Sequence, residues 1–329
     1  MLNVLVTGGG GYIGSHTCKA LSEEGFNPIV IDNLHYGHEW AVKWGVLIKG
    51  DFSDRDLLLE IFNTYKPIAV LHFAAFAYVG ESVKNPNKYY KNNVSGSLNL
   101  LDVMNECSIK NIIFSSTCAT YGIPKNIPIS ESEIQKPINP YGSSKLMIET
   151  IIKDFSLAYG LKYIILRYFN AAGADAKGEI GEDHDPETHL IPLTFRALDE
   201  PKKKLTIFGN DYKTADGTCI RDYIHVSDLA NAHVLALMRL LNNKESSIYN
   251  LGNGKGYSVL EIINSVEKIS NKRVFYEFGK RREGDPDVLI ASAEKALNEL
   301  KWCPKYSQID EIIKTVWEWE KKRIINLKK

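Results

Sequence analysis

The 329-residue sequence has few cysteines, no long apolar run and no excess of charge. Its five cysteines are odd in number, widely spaced and without a C-x-x-C pair, which argues against a disulfide framework and structural zinc. No stretch of about 18 apolar residues could span a bilayer. Basic and acidic residues both number 40, so there is no basic field for nucleic acid or an anionic membrane. Because a glycine-rich turn already begins near residue 8, we expect no signal peptide and a cytoplasmic protein without a nucleic-acid or membrane partner.

That glycine-rich turn, Thr7–Gly14, stands between an apolar β-branched run and the helical pattern of 15–24. Three of its glycines have positions that a side chain would spoil. Gly8 permits a tight turn, Gly11 lets backbone N–H groups approach a diphosphate, and Gly14 lets the helix pack against the strand. The helix N-terminus adds partial positive charge. Strand, turn and helix together predict a dinucleotide site.

Asp32 indicates which dinucleotide is bound. It ends a second apolar strand, 28–31, and lies 24 residues after Gly8. A carboxylate there accepts hydrogen bonds from the ribose hydroxyls of NAD and repels the additional phosphate of NADP. The alternative is a glycine-rich turn without a ligand, which the strand, the helix and Asp32 together disfavour. The sequence therefore predicts NAD.

Strand and helix patterns alternate as far as Phe169, which predicts a parallel sheet covered by helices on both faces, with ligands beyond the carboxyl ends of the strands. Beyond it, 173–185 has the composition of a loop, and later elements are shorter. We expect an NAD-binding domain over residues 1–170 and a smaller substrate domain over 171–329, with about 222–252 returning to the first domain. The predicted strands are 4–6, 28–31, 46–49, 68–72, 111–115, 162–168, 205–207 and 248–251, and the predicted helices are 15–24, 55–64, 86–106, 140–158, 191–198, 228–241, 259–270 and 309–322.

Tyr141 and Lys145 form a second chemical pattern, because residues four apart share one face of the helix 140–158. Lowering a tyrosine pKa from about 10 to about 7 requires about 4 kcal/mol. An ammonium about 4 Å away contributes roughly that much at an effective dielectric near 20, and a positive nicotinamide would add to it. Alone, Tyr-x-x-x-Lys is more often a surface pattern. Its place after a strand ending in Ser115-Ser116-Thr117 favours a catalytic pair, with a hydroxyl holding the reacting oxygen.

These motifs, together with Asp32-Asn33, resemble those of the extended short-chain dehydrogenase/reductases. Within that group, the second half of the chain is similar to the UDP-galactose (UDP-glucose) 4-epimerases, and the resemblance runs from residue 2 to about Trp319. It implies a Rossmann-type doubly wound parallel sheet with a smaller α/β substrate-binding domain, and an NAD that is never released. The motifs that carry it are Tyr168–Asn170, Phe208–Tyr212, Asp216–Thr218, Arg221–Val226 and Arg281–Asp285.

The resemblance also implies roles for single residues. Tyr141 would take the proton of the sugar 4-hydroxyl while C4 gives its hydride to NAD, and the hydride would return to the other face of the 4-keto sugar. Thr117 would hydrogen-bond the 4-oxygen, and Lys145 would hold the nicotinamide ribose. The expected cofactor-binding residues are Gly8, Gly11, Tyr12, Ile13, Gly14, Asp32, Asn33, Asp51, Phe52, Phe73, Ala74, Ala75, Asn92, Ser115, Tyr141, Lys145 and Tyr168. The expected substrate-binding residues are Thr117, Tyr141, Asn170, His189, Leu190, Thr206, Phe208, Arg221, Arg282, Asp285 and Leu289. The helices 86–106 and 140–158 would form a homodimer interface.

The chain departs from this pattern at three positions. Ala77 stands where many members have lysine, which removes a positive charge expected near the nicotinamide. His189 stands where some members have asparagine beside the uridine. Leu289 occupies the position, often Tyr or Cys, that faces the C2 substituent of the sugar. Since leucine is smaller than tyrosine, we expect room for an N-acetyl group without a preference for it.

Several other interpretations use the same fold. Dehydratases need an acid pair just after Thr117, and UDP-glucuronate decarboxylases a glutamate, whereas this chain has Cys118-Ala119-Thr120. An NADPH reductase would need a basic residue instead of Asp32, and non-catalytic NAD-binding relatives typically lose the tyrosine or the lysine. The sugar pair stays open among UDP-glucose/galactose, the N-acetyl pair and UDP-xylose/arabinose.

His184 and His189 lie among three acidic residues, but not at H-E-x-x-H spacing, and we expect no metal.

Overall fold

The computed structural model describes residues 1–199, 204–282 and 285–327. The strands in these ranges are β1 (Leu2–Thr7), β2 (Phe26–Asp32), β3 (Val46–Lys49), β4 (Val70–His72), β5 (Asn111–Thr117), β6 (Lys162–Tyr168), β7 (Asn170–Ala172), β8 (Leu205–Phe208), β9 (Ile220–His225), β10 (Ser247–Leu251), β11 (Gly256–Ser258), β12 (Tyr276–Gly279) and β13 (Val288–Leu289). The α-helices are α1 (Tyr12–Glu23), α2 (Arg55–Tyr65), α3 (Val79–Lys84), α4 (Pro86–Tyr89), α5 (Gly96–Glu106), α6 (Pro140–Tyr159), α7 (Leu190–Asp199), α8 (Val226–Leu241), α9 (Val259–Ser270), α10 (Glu294–Glu299) and α11 (Ile309–Leu327).

Seven parallel strands form the main sheet in the order β10-β6-β5-β4-β1-β2-β3. The chain builds outwards from β1 in both directions, which confirms the predicted doubly wound fold. In such sheets, ligands bind beyond the carboxyl ends of the strands, where the strand order reverses. Four adjacent strands, β5, β4, β1 and β2, end at that edge in Thr117, His72, Thr7 and Asp32.

The strand interiors are apolar on both faces, as expected for a parallel sheet covered on both sides. Val4 and Val6 of β1 pack with α1 and α8 on one face. Leu5, between them, packs with α2, α5 and α6 on the other face. The core therefore holds the carboxyl edge of the sheet, and the polar residues on it, between two helical layers.

A second, smaller sheet contains β11, β9 and β13, with β7 paired to β9, while β8 and β12 form a separate pair. Helices α7, α9 and α11 pack around these strands in a third apolar core. Between β9 and β11, the chain returns to the main sheet as α8, which packs on α1, and as β10, which pairs with β6. The domain division at residue 170 stays a prediction.

The boundaries of several predicted elements were wrong. Helix α1 begins at Tyr12, before the expected residue 15, so Gly14 lies inside the helix. The segment 86–106 is helical throughout but contains a π-helical section, Tyr90–Ser95. The short elements β7, β9, β11–β13, α3 and α10 were missed, because two to six residues carry too little periodicity to identify. No helix within the described ranges is both long and apolar enough to cross a membrane.

Candidate active site

A cleft of about 1110 Å³ opens at the carboxyl edge of the main sheet and extends to the smaller sheet. It brings together most of the residues predicted from the sequence. Those that line it are Gly8, Gly11, Tyr12, Ile13, Gly14, Asp32, Asn33, Phe52, Phe73, Ala74, Ala75, Asn92, Thr117, Tyr141, Lys145, Tyr168, Asn170, His189, Leu190, Arg221, Arg282, Asp285 and Leu289.

The glycine turn has the geometry of a diphosphate cradle. Gly8 has a φ of +75°, and a Cβ there would lie 2.7 Å from the backbone nitrogen of Ala74. A Cβ on Gly14 would lie 2.2 Å from the Gly8 carbonyl oxygen, which is why the helix packs so closely on the turn. Gly11 precedes α1 and offers no side-chain cap, so the first N–H groups of the helix are available to an anion in the cleft. The residues present therefore fit a dinucleotide.

Asp32 is fixed at the rim of this cradle. Its two carboxylate oxygens accept hydrogen bonds from the backbone N–H of Gly10 (2.9 Å) and of Leu34 (2.8 Å). Burial raises the pKa of Asp32, and the two backbone donors oppose that effect. Asp51 does not line the cleft. It accepts a hydrogen bond from the side-chain amide of Asn33 (2.9 Å), so it acts on the cleft only through that neighbour.

Helix α6 brings Tyr141 into the cleft. Pro140 occupies its first turn and the Asn139 side chain caps it, accepting from the N–H of Gly142 (2.8 Å). Tyr141 lies beside Thr117 at the end of β5, and both residues line the cleft. One helical turn further on lies Lys145, with only 3% of its surface exposed.

Lys145 is attached to β5 through its ammonium, which donates to the Ser115 carbonyl oxygen (2.8 Å). Ser115 does not line the cleft, although it was predicted to bind the cofactor. Its hydroxyl instead meets the Tyr168 hydroxyl (3.0 Å). The contribution of Ser115 is therefore to hold Lys145 and Tyr168, which both line the cleft.

The electrostatics differ from the expectation drawn from the spacing of Tyr141 and Lys145. Burial raises the pKa of Tyr141 well above its ordinary value, and the neighbouring Tyr168 raises it further. Burial also lowers the pKa of Lys145 to about 7, while Glu149 opposes that effect. The expected lowering of the Tyr141 pKa by Lys145 is therefore not present in the protein alone. The sequence argument included the attraction between the two charges but not the desolvation of both.

Two arginines face the other end of the cleft. Arg221 on β9 forms an ion pair with Asp285 and is largely buried. The guanidinium of Arg282 lies 4.3 Å from the ring centroid of Phe208. Phe208 does not line the cleft, but this contact positions Arg282, which does. Leu289 is the register partner of Arg221, so it lies beside these groups.

Thr206 is exposed on β8 and does not line the cleft, so its predicted contact with substrate finds no support in this arrangement. Of the motif Arg281–Asp285, Glu283 and Gly284 lie outside the described residues.

His184 and His189, which the sequence places among acidic residues, form a cluster with Glu182 and Glu187 at the edge of the cleft, and Glu182 is the member that the sequence did not indicate. Their possible ligand atoms lie within 4.8 Å of one another. The Nδ1 atoms of His184 (3.1 Å) and His189 both contact the same carboxylate oxygen of Glu182. Burial opposes the charged form of each group, but these contacts lower the pKa of Glu182 and raise the pKa of His184. The arrangement is that of ion pairs, and the absence of a metal stays a prediction.

The cluster also extends the cleft wall. The His184 ring lies edge-on to Tyr12 (6.3 Å between centroids) and to Tyr78 (6.2 Å), and all three line the cleft. Tyr78 follows Ala77 in the loop after β4, and its hydroxyl is buried without a hydrogen-bond partner among the described residues. The position of this loop at a strand's carboxyl end was the signal that could have identified Tyr78.

The sheet, the glycine turn and the Tyr–Lys pair define a dinucleotide-binding protein of the short-chain dehydrogenase/reductase type. The model of the NAD dependent epimerase/dehydratase family matches residues 4–252, and the chain belongs to that family. A curated UDP-glucose 4-epimerase of Rhizobium meliloti (strain 1021) is 51% identical over 321 residues, covering 98% of this chain and 98% of that protein.

Solved structures agree with this placement. The UDP-glucose 4-epimerase from Brucella ovis in complex with NAD has a TM-score of 0.94 and 50% identity, over 97% of this chain and 98% of its own. The UDP-glucose 4-epimerase from Bifidobacterium longum in complex with NAD+ and UDP has a TM-score of 0.93 and 39% identity, over 98% of this chain and 99% of its own.

Proposed function

We propose that the chain interconverts UDP-glucose and UDP-galactose by inverting C4 of the sugar while NAD stays bound. One observation carries this proposal: a single cleft joins the glycine cradle, the Thr117–Tyr141–Lys145 group and two arginines suited to a diphosphate. The similarity to UDP-glucose 4-epimerases over nearly the whole length supports it.

The cofactor half of the cleft would hold NAD through the N-terminus of α1 at the diphosphate and through Asp32 at the adenosine ribose. When bound, NAD supplies the hydride acceptor for the sugar C4. The chain's own residues manage the proton: Tyr141 exchanges it with the 4-oxygen, and Thr117 hydrogen-bonds that oxygen and Tyr141. Lys145, held by the Ser115 carbonyl, provides the positive charge beside them.

The substrate half would bind UDP through Arg221 and Arg282. A guanidinium binds phosphate oxygens through two parallel hydrogen bonds, which suits a diphosphate better than a lysine would. Asp285 pairs with Arg221 and so holds its guanidinium in place until the substrate arrives. His189 and Leu190 line the same cleft at the beginning of α7.

Leu289 bears on the choice of sugar. The residue lines the cleft beside Arg221, and a leucine there fills less space than a tyrosine and offers no hydrogen-bond donor. We infer that UDP-galactose and UDP-glucose are the main substrates and that UDP-N-acetylgalactosamine is also accepted. A primary N-acetyl or UDP-xylose/arabinose epimerase is the alternative.

A cytoplasmic homodimer completes the proposal. Helices α5 and α6 expose Leu98 (45%), Met147 (45%) and Leu157 (88%), which an interface between two copies would cover. All five cysteines are free, which fits a reducing compartment.

The test is epimerisation of UDP-galactose, UDP-N-acetylgalactosamine and UDP-xylose by purified protein without added cofactor. We expect UDP-galactose to give the highest kcat/KM, and denaturation of the same protein to release NAD. Strict dependence on added NADPH would refute the proposal and favour a reductase. Turnover of UDP-xylose alone would show that the sugar pair was assigned wrongly.

A further inference from the structure

Helix α6 presents three residues, not two, to the end of strand β5. Tyr141, Lys145 and Glu149 follow one another at four-residue intervals, and all three are buried. Lys145 donates to the Ser115 carbonyl, Glu149 accepts from the hydroxyl of Ser116 (2.6 Å), and Thr117, the next residue of the strand, lies beside Tyr141. Three successive turns of the helix thus face three successive residues of the strand, and two of them are hydrogen-bonded to it.

Glu149 has no exposed surface. Both of its carboxylate oxygens accept hydrogen bonds from neighbouring side chains. Arg167 of β6 donates to Oε1 through Nε (3.0 Å) and to Oε2 through a terminal nitrogen (2.6 Å), and Gln135 also donates to Oε2 (3.2 Å). Arg167 in turn donates to the Tyr121 hydroxyl (2.9 Å). The buried carboxylate thus has donors at both of its oxygens.

A buried ion pair of this kind contributes little to stability compared with apolar residues of the same size. The stability of the fold alone therefore does not account for Glu149 and Arg167. Their position beside Lys145, one helical turn from Glu149, provides another explanation.

The surroundings of Lys145 contain little else that stabilises a positive charge. From β5, it meets the Ser115 carbonyl and the Phe114 ring, whose centroid lies 4.9 Å from Nζ. From β4 it faces His72, and burial together with Lys145 itself lowers the pKa of that imidazole to about 3.

Two tyrosines and Glu149 are further titratable neighbours of Lys145 among the described residues. Burial raises the pKa of Tyr141 on α6 and of Tyr168 on β6, so both are neutral at pH 7. Among the described residues, Glu149 is the carboxylate that favours the charged form of Lys145 against its burial.

We propose that Glu149 is a positioning residue for the reaction: its carboxylate holds Lys145 as the ammonium and, through Ser116 and Arg167, fixes α6 against β5 and β6. This inference rests on the proposed function. It extends the catalytic pattern to Tyr-x-x-x-Lys-x-x-x-Glu, in which the third residue touches neither substrate nor cofactor.

Glu149→Gln tests this, because the amide keeps the size and one acceptor of the side chain but removes the charge. We expect the variant to retain NAD. As the pH rises, its activity should fall at a lower pH than that of the wild type. A nearby opposite charge changes a pKa by about one unit or more, so the alkaline limb of the kcat profile should move to lower pH by about one unit. The wild-type to variant ratio of kcat should therefore rise from about threefold at pH 6.5, half a unit below the Lys145 pKa of about 7, to about tenfold at pH 8.5. Asp154→Asn, an exposed charge removed from the same helix, is the matched control and should leave the limb in place.

A second readout does not depend on turnover. Carbon-13 NMR of the Lys145 Cε in the holoenzyme, assigned with Lys145→Arg, follows the titration of the ammonium directly. We expect the titration to move to lower pH in Glu149→Gln. If wild-type protein has no epimerase activity, the proposed function fails while this titration still tests the inference.

Glu149→Gln leaves Arg167 unpaired and could fail to fold, so Glu149→Gln/Arg167→Met provides a variant without an unpaired buried charge. Arg167 is not among the groups that change the pKa of Lys145. The double variant should therefore show the same fall of the alkaline limb of the kcat profile. A folded variant of either kind with an unchanged alkaline limb and an unchanged Lys145 titration would overturn the inference.

Discussion

Replacing Leu289 by tyrosine should narrow the range of sugars. Leu289 lies on β13, paired with Arg221, and packs against the apolar cluster that includes Tyr121, Ile129 and Phe169. Those neighbours are buried, so a larger side chain at 289 can only extend into the cleft. Overfilling a well-packed space costs about 1–3 kcal/mol, which corresponds to about 5- to 150-fold in kcat/KM. That cost should fall on substrates with an N-acetyl group at C2. The smaller C2 hydroxyl of UDP-galactose leaves room for the added tyrosine ring.

The assay is kcat/KM for UDP-galactose and UDP-N-acetylgalactosamine in the wild type, Leu289→Tyr and Leu289→Met. Methionine conserves the volume and should leave the ratio of the two substrates near the wild-type value. Tyrosine should lower the N-acetyl activity relative to that of UDP-galactose by the factor above. An unchanged ratio in Leu289→Tyr, with NAD still bound, would show that Leu289 does not limit the C2 pocket.

Other predictions address the base, the histidine cluster and the dimer. Tyr141→Phe should lower kcat about 10²–10⁴-fold while the fold and the bound NAD survive, since a positioned general base contributes that much; near-normal turnover would remove Tyr141 from the mechanism. Elemental analysis of purified protein should find no stoichiometric metal at His184 and His189, because both Nδ1 atoms already donate to Glu182; one tightly held zinc per chain would contradict this. Leu157→Glu should shift the sedimentation of the protein towards that of a monomer, whereas Ile123→Glu, also exposed but outside α5 and α6, should not; a monomeric wild type would refute the dimer.

The parts of the site that depend on local backbone requirements could be predicted from the sequence. The glycine turn is one, because a Cβ at Gly8 or Gly14 would collide with neighbouring backbone whatever the rest of the chain does. The shared face of Tyr141 and Lys145 is another, since it needs only the helical period. Both follow from interactions within a few residues, and both are found in the cleft.

The parts that depend on burial or on distant residues could not be predicted. The network around Glu149 joins Ser116, Gln135 and Arg167, and no spacing rule connects those positions. The short strand β9 was hidden by Arg221 and Asp222, whose charges interrupt its apolar pattern. Thr206 and Phe208, both predicted to bind substrate, have exposed side chains on β8 and do not line the cleft, so those contacts stay predictions.

The electrostatics of the site indicate when Tyr141 can act as a base. Desolvation acts in the same sense on both catalytic groups, since it raises the pKa of Tyr141 and lowers that of Lys145, favouring the uncharged form of each. The protein alone therefore leaves the base protonated, and Glu149 secures only the charge on Lys145. On the proposed function, the positive charge that Tyr141 still requires is that of the oxidised cofactor. Because that charge disappears when the cofactor is reduced, Tyr141 then favours its protonated form. Its proton gain and loss are thus tied to the hydride transfer, and the site makes a strong base only when an acceptor for the hydride is present.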